Sequence, residues 1–191
     1  MKDQPDPYFN IFLIPCGMVY EHLTTTIADL SKTYHAPNFV PHVTLLGNLH
    51  GSEDEITLQA LSVARQLKPF NIQLMHPDYE ESYSRCLFLR VRKTPAILKA
   101  HALAKRAFSQ HEGPLYMPHL SLLYGFFPVK VKEQIIANLT ANLKMMFKIT
   151  SLNVMRIEDR DPENWSKILT IPFPCKGKPF SLKSRIQRKR R

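Results

Sequence analysis

At 191 residues and 44% hydrophobic content, the chain is long enough for one domain, or two small lobes sharing a core, without covalent or metal staples. Its three cysteines, Cys16, Cys86 and Cys175, are odd in number and lack CxxC or Cys/His zinc spacing, which argues against a zinc module or a disulfide framework and for a reducing, cytoplasmic setting. The net charge of +10 belongs mostly to the last sixteen residues, which carry eight Lys and Arg and no acid, so the body itself does not have the composition of a basic nucleic-acid-coating protein.

In chain order, residues 8–14 read as a strand. The apolar run 11–19 is a poor secretory leader, because Asp3 and Asp6 precede it and Pro15 interrupts it. No stretch is long enough to span a membrane. Residues 18–35 read as a helix and 41–47 as a short apolar strand opened by Pro41. A helix is expected over 52–68, with Ser52 as N-cap and Glu55 in capping-box position. A strand follows at 70–75, then a polar turn region, a strand at 84–92 in which Cys86 is a buried small hydrophobe, and a helix at 94–109 with Thr94 before Pro95. Residues 118–125 form another short strand, 129–143 a helix, 147–157 one long strand, and 165–173 a last strand after the polar loop 158–164. No Gly-rich phosphate loop appears. The alternation with short loops predicts an α+β fold with antiparallel or mixed sheets and helices outside.

Two segments are near copies. Phe39-Val40-Pro41-His42-Val43-Thr44-Leu45-Leu46 and Tyr116-Met117-Pro118-His119-Leu120-Ser121-Leu122-Leu123 share one pattern at an offset of 77 residues. A third triplet, His22-Leu23-Thr24, falls in the 18–35 helix, where positions two apart do not share a face. In a strand they do. His42 and Thr44 therefore point one way, about 6.5–7 Å apart, and Val43 and Leu45 the other; His119 and Ser121 are arranged alike. The aliphatic set can bury against helices, leaving the His/hydroxyl set over a cleft. The same offset relates Phe70-Asn71-Ile72 to Phe147-Lys148-Ile149, and an offset of 82 relates residues 83–89 to 165–171. This predicts duplicated half-domains forming two lobes about a pseudo-twofold axis, with both histidine strands facing a central cleft. The single bilobal domain is expected to occupy residues 1–175, with 176–191 as a basic tail.

These motifs resemble the 2H phosphoesterase superfamily, and within it the plant and fungal cyclic phosphodiesterases, over nearly the whole chain to about Pro174. The resemblance implies a bilobal α+β fold and metal-independent hydrolysis of cyclic phosphates, among them ADP-ribose 1″,2″-cyclic phosphate and nucleoside 2′,3′-cyclic phosphates, with no cofactor. It implies His42 and His119 as catalytic residues and Thr44 and Ser121 as phosphate-binding. It extends to Tyr124 as a phosphate contact, which requires a bend near Gly125, and to Phe12 as an aromatic that stacks on a base.

The residue types suit that chemistry. Opening a cyclic phosphate requires a base to activate water and an acid to protonate the leaving oxygen, on opposite sides of phosphorus. Two imidazoles with ordinary pKa values near 6.5 populate the mixed protonation state around neutral pH. The Thr44 and Ser121 hydroxyls can donate to nonbridging oxygens. His22, His35, His50, His76, His101 and His111 read as solvent-exposed. Two other functions stay open: RNA 3′-end processing, motivated by the tail, and a non-catalytic nucleotide- or RNA-binding module. The tail is read either as a contact for RNA, an anionic surface or nuclear import machinery, or as a solvated extension. A monomer in the cytoplasm, or the nucleus through the tail, is expected.

Overall fold

A computed structural model describes residues 7–110, 113–139 and 145–174. Cys175, His111 and the tail 176–191 lie outside the described residues, as does the end of the helix expected over 129–143. The described elements are β1 (Tyr8–Leu13), α1 (Gly17–Tyr34), β2 (Val43–Leu49), α2 (Glu53–Gln66), β3 (Phe70–Asp78), β4 (Leu87–Val91), α3 (Pro95–Ala107), β5 (His119–Leu123), α4 (Val129–Asn138), β6 (Met146–Ile149), β7 (Ser151–Ile157) and β8 (Trp165–Pro172), with a 3-10 turn at Pro162–Asn164.

Local chemistry accounts for the helix starts. Ser52 Oγ accepts from Glu55 N while the Glu55 carboxylate accepts from Ser52 N, closing the expected capping box. Thr94 Oγ1 accepts from Ile97 N, with Pro95 at the first helical position. The apolar faces of the helices (Leu23 and Ile27; Ile56, Ala60 and Val63; Ile97, Ala100 and Ala104; Ile135) meet Val43, Leu45, Leu120 and Leu122 in one core. A smaller cluster, Phe12, Met155 and Ile157, packs apart from it.

The eight strands form one curled sheet in the order β6-β3-β4-β5-β2-β1-β7-β8. Every pairing among the described strands is antiparallel, so the antiparallel alternative holds rather than the mixed one. The order is symmetric about the β5–β2 junction. There β2 meets β5 at the pair Val43–Leu120, two residues that the 77-residue offset interchanges. The same offset turns the pair Phe70–Ile149 into Phe147–Ile72, and both pairs exist between β3 and β6. The pseudo-twofold axis therefore runs through the β2–β5 junction, whereas β3 and β6 lie together on one side of it and their reciprocal pairing is the local dyad of an antiparallel pair.

Two expectations require correction. The long strand 147–157 is broken at Thr150: β6 pairs with β3 at one end of the sheet order, while β7 pairs with β1 and β8 near the other. One straight strand cannot follow both neighbours around a curled sheet. The proposed correspondence of 83–89 with 165–171 also fails in space. β4 lies inside the sheet between β3 and β5, and its symmetry counterpart is β1, whereas β8 is an outer edge.

Candidate active site

From the pair Val43–Leu120, one step either way along an antiparallel ladder sets Thr44 opposite His119 and His42 opposite Ser121. All four side chains thus share one face, and the histidines are diagonal neighbours, about 7–8 Å apart in a regular ladder. They line one cleft of about 460 Å³ together with Tyr124, Arg85 and Trp165.

The repeated aliphatic-Pro-His segment explains why both rings are held alike. Proline fixes its own φ and keeps the preceding residue extended, which turns that residue's carbonyl onto the imidazole. Nδ1–H of His42 donates to the Val40 carbonyl at 2.7 Å, and Nδ1–H of His119 to the Met117 carbonyl at 2.9 Å. A carbonyl only accepts, so in each neutral ring Nε2 is left with its lone pair free. Burial drives the His42 imidazole down to about 4, against the Val40 carbonyl, which raises it; the charge of His119 lowers it further. Burial is also the main cause holding His119 below its ordinary value, opposed by the Met117 carbonyl. Two unperturbed imidazoles near 6.5 are therefore not what the site contains: both are kept neutral at pH 7.

Phe12 lines the cleft with little of its ring accessible. It is 1% exposed and lies flat on the His42 ring, with centroids 3.7 Å apart and planes at 14°. Its strand neighbour is Thr44. In the other lobe Phe88 is the strand neighbour of Ser121 and meets the His119 ring edge-on at 5.2 Å. Each lobe thus backs its histidine with a buried phenyl ring, and Phe88 is a residue that sequence reasoning missed. The signal was present: Phe12 precedes Thr44 by 32 residues, and Phe88 precedes Ser121 by 33.

Tyr124 does reach the cleft. β5 ends at Leu123, so strand parity no longer binds the next residue, and Gly125 turns the chain at φ +142°. The Tyr124 ring stacks on Phe39 at 3.9 Å, and its hydroxyl, held protonated by burial, bonds to Ser121. Ser121 Oγ in turn donates to the Ser84 carbonyl at 2.8 Å. Gly47 occupies the position 77 residues before Tyr124, and a Cβ there would come within 2.9 Å of Asn10 Oδ1. At this repeated position the second lobe has a phenol and the first a glycine.

His101 also departs from expectation. Rather than exposed, it is partly buried, stacks on Tyr116 at 3.8 Å and donates from Nδ1 to the Leu45 carbonyl at 2.7 Å. Beyond Val43 the β2–β5 ladder has no further pair, so carbonyls of β2 need other donors. His101, the Tyr116 hydroxyl on Thr44 O (3.1 Å) and Gln110 Nε2 on Gly47 O (3.2 Å) supply them. His22, His35, His50 and His76 are exposed as expected. Trp165, unremarked in sequence beyond its strand, lies 6.0 Å from the His42 ring and 6.1 Å from that of Tyr124, its Nε1–H donating to Asp159 O. Among the described residues no three His, Cys, Asp or Glu converge into a metal-binding set, and no helix is long and apolar enough to cross a membrane.

A curled antiparallel sheet that carries two His-x-Thr/Ser strands into one cleft defines a two-histidine phosphoesterase architecture. The family model of the 2′-5′ RNA ligase superfamily matches residues 20–161, and the chain belongs to that superfamily, whose members are two-histidine enzymes. A protein named cyclic phosphodiesterase from Arabidopsis thaliana is 24% identical over 174 residues, covering 88% of this chain and 96% of the relative. The crystal structure of TT0787 of Thermus thermophilus superposes with a TM-score of 0.60 at 12% identity, covering 85% of this chain and 96% of the other. That of E. coli LigT complexed with 3′-AMP gives 0.60 at 10% identity, covering 88% and 99%. These structures share the fold.

Proposed function

We propose that the protein is a metal-independent cyclic phosphodiesterase that opens nucleotide cyclic phosphates, ADP-ribose 1″,2″-cyclic phosphate or nucleoside 2′,3′-cyclic phosphates, to phosphomonoesters. The observation that carries this reading is the convergence of His42, Thr44, His119 and Ser121 on one cleft about the Val43–Leu120 pair. The name of the Arabidopsis relative agrees with it. The catalytic unit is placed in residues 1–175, with the tail 176–191 outside it.

His42 is buried under Phe12 and depressed to about 4, whereas His119 is only partly buried, so we assign the first proton taken up to His119. Neutral His42 then accepts a proton from water as its oxygen bonds to phosphorus, and protonated His119 delivers a proton to the ester oxygen as its P–O bond breaks. The two proton states have exchanged at the end of the turn, and solvent resets them. Thr44, Ser121 and Tyr124 meet the nonbridging oxygens, where charge accumulates. Ser121 must first swing its hydroxyl away from Ser84.

The test is incubation with a panel of cyclic phosphates, products being identified by phosphorus NMR. Conversion of a five-membered cyclic phosphate to one monoester supports the reading; an unchanged panel overturns it. The pH dependence is specific. In the free protein the singly protonated state exists only between the two depressed pKa values. The bell for kcat/KM should therefore have its apex below pH 6.5, falling above it as His119 loses its proton and falling toward pH 4 as His42 gains one. A bound phosphate anion favours both imidazolium forms, so the kcat profile is displaced to higher pH.

With Phe12 buried, base stacking falls to Trp165. It is the single tryptophan of the chain and lines the cleft. Trp165→Ala is expected to raise KM for a nucleoside cyclic phosphate about 5–100-fold, the range of one base–aromatic stack. Turnover of the base-free glycerol 1,2-cyclic phosphate should stay the same, as steady-state kinetics on both substrates will report.

A further inference from the structure

Two cationic side chains, Arg85 and Lys105, line the cleft. Arg85, just ahead of β4, lines it beside His119 and Ser121, and the charges of Arg85 and Glu80 are both felt at His119. Arg85 Nε is paired with the Glu80 carboxylate at 2.8 Å, the two side chains 41% and 36% exposed. An ion pair this exposed contributes little to stability and is readily exchanged.

The backbone around that pair is firmly tied. Lys132, 2% exposed, donates from Nζ to the Glu80 carbonyl at 3.1 Å. Glu80 N donates to Arg85 O, and Gly125 N to Tyr83 O. The Ser84 carbonyl holds Ser121. What is free to change is therefore the partner of the guanidinium rather than the loop. The other basic side chains near the histidines are placed differently. Arg90, the strand neighbour of His119, is held by Asp78 at 2.6 Å and does not line the cleft, while Lys105 lines it at the His101 side, where its charge acts on His101.

We propose that Arg85 is the phosphate-binding cation of the cleft and that the Glu80 carboxylate occupies its fork until an anion arrives. A phosphate presents a pair of oxygens as a carboxylate does and can take the guanidinium from Glu80 in bidentate fashion. The inference rests on the cleft being a phosphate-ester site. It adds that a dianionic monoester is held more tightly than the monoanionic cyclic ester, so that Arg85 governs product retention most strongly.

Calorimetric titration of the full chain with inorganic phosphate, adenosine 3′-monophosphate and uncharged adenosine tests it without requiring turnover. Arg85→Gln should weaken both anions about 10–100-fold and leave adenosine unchanged, and Arg85→Lys should fall between. Glu80→Gln should tighten both anions, because it removes the internal competitor. Anion affinity in Arg85→Gln equal to that of the unaltered protein would overturn the proposal. So would weakening by Glu80→Gln to match Arg85→Gln, since the pair would then serve only to brace the loop. Failure of the unaltered protein to bind either anion would instead overturn the phosphate-ester reading itself.

Discussion

His42→Ala and His119→Ala are each expected to lower kcat on a cyclic phosphate by about 10²–10⁴-fold, while chelators leave the rate of the unaltered protein unchanged. The two losses should not multiply in the double variant, because the histidines act on one transition state. A change of leaving group separates their roles. A nucleoside phosphodiester with a nitrophenolate leaving group needs no proton at the departing oxygen. On that substrate His119→Ala should recover most of its rate, whereas His42→Ala should remain impaired for want of a base. Equal impairment of both variants on both substrates would remove the acid–base assignment, and near-normal turnover by either alanine variant on the cyclic substrate would remove the mechanism.

Phe12→Ala should give the largest loss of stability among single changes at the site. Phe12 is 1% exposed and covers the His42 ring at 3.7 Å. Truncating a buried phenylalanine costs about 3–5 kcal/mol, which for a domain of this size lowers Tm by roughly 6–20 °C. A second consequence is independent of the first. Burial is the main reason His42 sits at about 4, and water admitted beside the ring relieves it. The pKa of His42 then rises toward its ordinary value, and the acidic limb of kcat/KM moves to higher pH. Leu74→Ala supplies the control. Leu74 is fully buried on β3, next to β4, so its truncation should lower Tm without moving that limb. An acidic limb that stays in place in Phe12→Ala would mean that the ring has only a packing role.

The asymmetry between the lobes bears on how such a site works. The pseudo-twofold axis supplies two equivalent imidazoles, each tied through Nδ1 to the carbonyl two residues before it. Acid–base hydrolysis requires them to be inequivalent. The difference comes from what surrounds them: a ring stacked flat on His42 but edge-on at His119, a phenol at 124 but glycine at 47, and Arg85 on one side only of the cleft.

What the sequence determined by itself was whatever depends on near neighbours along the chain. Strand parity placed His42 with Thr44 and His119 with Ser121. The Pro-His step dictated how both rings are tied, and Ser52, Glu55 and Thr94 marked the helix starts, because a cap or an i+2 relation involves only a few consecutive residues. The 77-residue offset even located the axis, since a duplicated unit keeps its internal order. Only the tertiary structure decided where distant segments meet. Thr150 breaks a strand because the curled sheet sends its two parts to different partners. Phe12 is buried under His42 because β1 lies directly beside β2. His101 leaves the solvent because β2 has carbonyls that β5 does not pair. The depression of both imidazoles belongs here too: desolvation is a property of everything packed around a group, and no stretch of sequence contains it.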